Sequence, residues 1–495
     1  MSFVLSLIIL LPLLGAPAVY LAVKKDRRLG IYAALGLGVV ELALVTYVSW
    51  VVAAGPPAPG QYLFEERYSW IGFQGFGLDY FVGTDGLSTP LLFISALLTL
   101  LAVYGSRKLI DHHEAEYYAL IFLFEGAIMG VFASLNLILF YIFWEVVLIP
   151  MFFFIGVWGG PRRKYAAMKF IIFTYSASTL MLLGFLYLYL GMGAGASFDI
   201  PSLAGKIPTA LQYVPLLTSF IGFAVKLPLF PFHTWLPDAH VEAPSPVSVL
   251  LAGVLLKMGG YGFLRISIEL FPQASEQYAW VFLVLGLVSM FYGAIAAMLQ
   301  KDLKKMVAFT SINHMGFVLF GAYATLVSGN LLGIQGAILQ MVAHALAVGS
   351  LFMLTGFVQH QAGTREIPSL GGIGKSMPRT AALLVLSSAA AMALPPFASF
   401  LAEFMIIAAG ISAYAITAVA VLVPVITAGY FLWMLKRTVL SWPAGQAEVH
   451  DMAWSDVASF AAYLVPLVVL LVASYLVLSP SYNVAQFLWG LAKPG

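Results

Sequence analysis

The sequence predicts an all-α polytopic membrane protein of about fourteen transmembrane helices. Of its 495 residues 61% are hydrophobic and only 9% charged, where a soluble domain carries about 25%. The mean hydropathy is +0.95. Stretches such as 281–299 and 331–358 are apolar on every face, whereas a transmembrane β-barrel needs short alternating segments. A chain of this kind must satisfy its backbone internally, which helices do.

Apolar runs of about 20 residues fall near 3–23, 31–53, 82–104, 116–134, 137–157, 165–190, 213–235, 246–270, 278–299, 306–328, 331–358, 379–408, 411–435 and 457–479. The run 379–408 is long enough to be bent or broken. The longest connections, about 20–25 residues, leave no room for a soluble domain. The first positive residues, Lys24, Lys25, Arg27 and Arg28, follow the first apolar run. That order reads as a retained span, not a cleaved signal peptide.

Lysine and arginine set the orientation. The loops after odd-numbered spans hold 18 of the 24, among them Lys24, Arg107, Arg162, Lys301, Arg365 and Lys436; the opposite side holds Arg67, Lys206 and Lys493. Lys226, Lys257 and Arg265 lie inside or at the edge of spans. Both termini are therefore expected to face outward, into the periplasm or its equivalent, with the basic loops in the cytoplasm. The net charge of +2 gives no reason to expect nucleic acid as a partner; the bilayer is the expected surroundings. The absence of cysteine excludes cysteine-ligated iron–sulfur clusters, thiol catalysis and disulfides within the chain.

Two segments share a pattern that breaks helices. Leu227-Pro228-Leu229-Phe230 lies in span seven and Leu394-Pro395-Pro396-Phe397 in span twelve, 167 residues and five helices later. Proline removes a backbone hydrogen bond, which a membrane tolerates only where the freed groups are buried in protein or line a cavity. Five helices repeated in opposite topology, each with an interrupted helix, is a transporter architecture. Under the motif alignment Lys226 falls opposite Ala393 and Glu403 opposite Leu236.

Six ionisable residues inside apolar runs stand out: Glu145, Lys226, Lys257, His314, His344 and Glu403. Each costs about 2.5–3.5 kcal/mol on insertion scales and so marks an ion path, a proton relay or a structural pair. Lys226, beside a helix break, is expected to pair with the buried carboxylate of Glu145. Lys257 lies halfway along span eight in a glycine-rich stretch, too deep to snorkel. His314 and His344 suit proton transfer near neutral pH, or a hydrogen-bonded structural role. Glu403 lies seven residues past Pro396. No metal-ligand spacing, Walker A loop or GxGxxG loop is present.

The run Phe232-His233-Thr234-Trp235-Leu236-Pro237-Asp238-Ala239-His240-Val241-Glu242-Ala243-Pro244, with 250–262 after it, closely resembles subunit M of bacterial respiratory complex I, the counterpart of mitochondrial chain 4. Gly83–Ser88, Trp144-Glu145, Thr310–Phe317, Gln340–His344 and Phe400–Phe404 are similar to that family too, so the resemblance spans essentially the whole chain. Ser245-Pro246-Val247 departs from a Thr-x-Gly-like stretch. The resemblance implies a proton-pumping, antiporter-like subunit of an NADH:quinone oxidoreductase. Its organisation would be a three-helix segment (1–110), a first repeat of helices 4–8 (111–275), an inverted repeat of helices 9–13 (276–440) and a last helix (441–495). It also implies that Glu145 and Lys226 form a coupling pair, that Lys257 is the central relay, that His314 and His344 carry protons, and that Glu403 is terminal. No cofactor is expected on this chain, with quinone, flavin and iron–sulfur clusters in other subunits, and the expected partners are neighbouring antiporter-like subunits. The rival readings are the D-type component of a multisubunit cation/proton antiporter, the related component of a membrane-bound hydrogenase, an independent solute transporter, and a passive scaffold.

Overall fold

The computed structural model describes residues 3–73, 76–442 and 449–493. Two helices, α1 (Val4–Lys25) and α2 (Arg27–Ala54), lead into a β-hairpin, β1 (Leu63–Phe73) and β2 (Phe76–Thr84), paired antiparallel. Then come α3 (Ser88–Ser106), α4 (Glu114–Ala133), α5 (Leu137–Val146), α6 (Leu148–Trp158), α7 (Arg163–Met192), α8 (Ile200–Leu203), α9 (Thr209–Lys226) and α10 (Trp235–Glu242). The span Ser245–Ile268 is made of α11 (Ser245–Leu250) and α12 (Leu256–Gly262), separated and followed by π-helical turns at Leu251–Leu255 and Phe263–Ile268. The second half holds α13 (Pro272–Gln277), α14 (Ala279–Met298), α15 (Leu303–Ser328), α16 (Leu332–Ala362), α17 (Ile373–Ser376), α18 (Pro378–Ala391), α19 (Ala398–Ala413), α20 (Leu422–Thr438), α21 (Trp454–Val472) and α22 (Tyr475–Ala492).

Among the described residues, 12 helices are long and apolar enough to cross a membrane. Of the fourteen runs expected, the two missing from these are the proline-interrupted seventh and twelfth. The seventh stops at Lys226 and resumes as α10, and the twelfth is divided into α18 and α19. The innermost spans, Ser245–Ile268, α15 and α16, are buried along their whole apolar length, and α1, α2 and α21 lie at the rim. Burial on all sides is why α16, in the run 331–358, is apolar on every face.

The two breaks close in the same way, in a register of 165 residues. Leu227 N–H donates to the Phe223 carbonyl and Met392 N–H to Ser388, and 388 − 223 is 165. Leu229 N–H reaches the Ala224 carbonyl and Leu394 N–H reaches Ala389, again 165 apart. The next carbonyls, Val225 and Ala390, take a side-chain donor from the following helix: Trp235 Nε1 at 2.9 Å and Ser399 Oγ at 2.5 Å. The matching letters of the proline motif, 167 apart, are thus two residues out of structural register. The breaks correspond through the carbonyls they cap.

Three further differences from the sequence reading have physical causes. Residues 82–87 end the hairpin and turn into α3, so the third span starts at Ser88. The hairpin itself follows from alternation in Phe64-Glu65-Glu66-Arg67-Tyr68-Ser69-Trp70, a period of two. The last run, expected at 457–479, ends at Val472, and a separate helix, α22, follows.

Candidate functional site

The interruption after α9 leaves Lys226 at a helix end inside the protein, where it is buried. Its Nζ has no hydrogen-bond acceptor and lies 5.3 Å from the Trp144 ring centroid and 5.7 Å from that of Phe170. Cation–π attraction of this kind contributes about 2 kcal/mol when desolvated. Glu145, next to Trp144 on α5, is only partly buried, on the same side of the helical run as the exposed Ile149 and Phe153. The expected Glu145–Lys226 ion pair is not formed within 4 Å among the described residues: the tryptophan ring stands against the ammonium where a carboxylate was expected, and Glu145 is half-buried with Oε1 enclosed and unpartnered.

Gly259 brings the next span against this break. A Cβ there would come within 2.6 Å of Leu227 N and 2.7 Å of the Phe223 carbonyl, so only glycine allows the approach. Two residues earlier, Lys257 is buried beside the π turn. π turns shift backbone hydrogen bonding and expose carbonyls; Lys257 Nζ donates to the Ala252 carbonyl at 2.6 Å. The same nitrogen lies 2.5 Å from His344 Nδ1 on α16.

From there the groups form a row. The His344 and His314 rings stand edge to face with centroids 5.4 Å apart. His314 Nε2 is 3.8 Å from Glu403 Oε1, which also accepts from Gln340 Nε2 at 3.3 Å. α15, α16 and α19 supply one member each, and all four residues are buried. The spatial order is Lys257, His344, His314, Glu403, so the histidines are reversed relative to sequence. Lys226 joins the row only through the helix contact at Gly259, and Glu145 lies beyond it.

Sequence reasoning passed over several groups. His240, inside the family-like run, is buried with both ring nitrogens unpartnered and stacks on Phe352 at 4.3 Å. Lys304, read as a loop residue, is buried and donates to the Ala243 carbonyl. Arg265 is the hub of a buried network: it reaches Asp85 at 2.6 Å, Glu269 at 2.9 Å and Tyr62 at 3.0 Å, while Tyr62 donates to Glu269 at 2.9 Å. Burial, opposed by the Arg265 guanidinium, holds the Tyr62 hydroxyl well above its usual range. Glu41 and Glu125 are fully buried without partners. They meet the same condition as the six, an ionisable residue inside an apolar run, here 31–53 and 116–134.

A family described as NADH:quinone oxidoreductase/Mrp antiporter, TM, matches residues 134–428, which hold all six predicted residues. The chain belongs to this family. Within it the chain is of the subunit M type. It is 37% identical to NADH-quinone oxidoreductase subunit M of Rickettsia prowazekii over 88% of each chain. It is also 40% identical to NAD(P)H-quinone oxidoreductase chain 4 1 of a Nostoc species, covering 81% of this chain and 73% of that one. Respiratory complex I from Thermus thermophilus contains a chain that superposes with a TM-score of 0.87 at 27% identity, covering 99% of this chain and 100% of that one. A chain of the Mrp complex from Dietzia shares the fold, with a TM-score of 0.86 at 21% identity and coverage of 100% and 98%. A subunit M-type chain is thus a multi-span membrane component of a respiratory complex, built to sit among other membrane subunits.

Proposed function

We propose that this chain is the proton-translocating membrane subunit of an NADH:quinone oxidoreductase in a bacterial plasma membrane. On this reading the complex is a translocase, and this chain carries protons but no redox centre. Quinone, flavin and iron–sulfur clusters belong to other subunits. The observation that carries the reading is the buried row Lys257–His344–His314–Glu403, drawn from four helices into contact across the core.

The chemistry follows from the row. Lys257 ammonium donates a proton to His344 Nδ1 across the 2.5 Å contact, leaving an amine and an imidazolium. The imidazolium passes a proton to His314, and the 3.8 Å gap to Glu403 closes by a small side-chain movement or one bridging water. Trp144 and Phe170 hold the Lys226 ammonium without neutralising it, so its charge answers to any carboxylate that approaches. Glu145, partly exposed at the flank, is placed to respond to a neighbouring antiporter-like subunit and to swing toward Lys226. A charge change during quinone reduction moves Glu145, and Lys226 then drives or releases the proton on Lys257. Helices 4–8 and 9–13 act as two inverted halves hinged on the two capped breaks, and both termini face outward.

Glu145→Gln and Lys226→Ala, each in assembled complex reconstituted in vesicles, are expected to reduce quinone-linked proton pumping by about tenfold or more. Full pumping in both variants overturns the assignment. Co-purification with small antiporter subunits in place of quinone- and NADH-site subunits would favour the antiporter reading, which the Mrp fold likeness keeps in view.

A further inference from the structure

We propose that Glu41 and Glu125 form a second proton-binding site in the N-terminal helices, separate from the central row. Glu41 is the fifteenth residue of α2 and Glu125 the twelfth of α4. Both helices start on the basic-loop face, so the two acids lie at similar depth near mid-span. α1 packs against both helices. A Cβ on Gly126 would meet Leu13 at 2.5 Å and the Ile9 carbonyl at 2.8 Å, and a Cβ on Gly15 would meet Leu37 at 2.5 Å. The two acids therefore flank the same stretch of α1.

That stretch offers acceptors and no donors. Pro12 has no N–H, so the Ile8 carbonyl loses its helical partner, and Pro17 does the same for Leu13. All four carboxyl oxygens of Glu41 and Glu125 are buried with no hydrogen-bond donor. Glu125 adjoins Gly126 and Glu41 lies one turn past Leu37, so both acids border these α1 contacts. The elements packed on them carry charge only at Lys24, Lys25, Glu145 and Lys257 in α1, α3, α5, α6, α12 and α22 and at Glu65, Glu66, Arg67 and Asp79 in the hairpin, and among the described residues no hydrogen bond joins any of these to either acid. Two buried carboxylates on either side of one helix, without a cation or donor, are unstable in a bilayer. A carboxylic acid, by contrast, has an O–H to give to a freed carbonyl or to its partner. The site thus takes a proton shared by two acids, each bound proton turning one carboxylate into a carboxylic acid. Tyr118, whose buried hydroxyl is also unpartnered, lies two turns nearer the basic face on the same side of α4 and offers a way in.

Infrared difference spectra of the intact complex test this. Expected is a protonated-carboxyl C=O band that shifts in D2O and is lost in the Glu41→Gln/Glu125→Gln double variant. A band unchanged in that variant overturns the proposal, as does a band abolished by sodium, which would make the site one for a metal cation. A second measurement needs no variant. A membrane-permeant carbodiimide, which attacks protonated carboxyls, should label Glu41 or Glu125 in wild-type complex, with yield falling at least about tenfold from about pH 6 to about pH 9. No adduct at either residue across that range overturns the site whether or not the double variant assembles.

Discussion

The guanidinium of Arg265 and the ammonium of Lys257 stand two turns apart on one span and are held by opposite means. Arg265 is fully paired, with two carboxylates and two tyrosine hydroxyls, those of Tyr62 and Tyr261, filling its planar fork. Lys257 has only a carbonyl and an imidazole, neutral acceptors that leave its proton free to move. The first arrangement serves structure: Arg265 ties the start of α3, the residue before β1 and the end of the π-helical span into one knot. Arg265→Met would strand buried Asp85 and Glu269 and is expected to cost about 3–5 kcal/mol. This will be read as lower assembly yield and faster thermal inactivation of the complex. The complex that does assemble should pump the same number of protons per electron, because Arg265 is outside the row. Arg265→Lys should recover only part of the loss, since one ammonium cannot reach all four partners. The sequence placed both residues inside or at the edge of a span, but which charge is paired depends on Asp85, Tyr62 and Glu269, brought together over 207 positions of chain.

At the scale of elements, the breaks depend on two carbonyls capped from outside their own helix. Val225 would be orphaned without the Trp235 indole, whereas Ala390 without the Ser399 hydroxyl would keep a backbone bond of 3.2 Å from Ala393 N–H. A buried unpaired carbonyl costs about 1–3 kcal/mol. Trp235→Phe, which keeps most of the ring volume, is expected to lower the thermal stability of the complex by about that amount, and Ser399→Ala by less, since the Ala390 carbonyl keeps the Ala393 N–H. Trp235→Phe should also reduce proton pumping, because the Val225 carbonyl adjoins Lys226. Ser399→Ala tests the parallel at the second break, four residues before Glu403. Prolines made both breaks legible in sequence, and apolar length made the twelve continuous spans legible. The caps were not, because Trp235 and Ser399 are ordinary residues until the chain turns back on itself. The hairpin was hidden differently: its two-residue period was present, but it sat in a stretch treated as a loop between spans.

For the whole molecule, sidedness decides which way a proton row can point, and the charge bias of 18 against 3 makes a definite claim about it. The chain has no cysteine, so a single introduced thiol on it has no competitor within the subunit. Lys164, in the first turn of the long α7, and Lys206, between α8 and α9, are both exposed and lie on opposite ends of one span. Lys164→Cys should react with a membrane-impermeant maleimide only in inside-out vesicles, and Lys206→Cys only in right-side-out vesicles. Neither lysine is in the buried row, so pumping should be retained. The reverse pattern would place the basic loops outside, and Tyr118 and the entry to the Glu41–Glu125 site would then face the periplasm. Labelling of both positions from one side would mean that α7 does not cross the membrane. That outcome would remove the opposed directions on which two inverted halves depend, while leaving the contacts of Lys257, His344, His314 and Glu403 as they are.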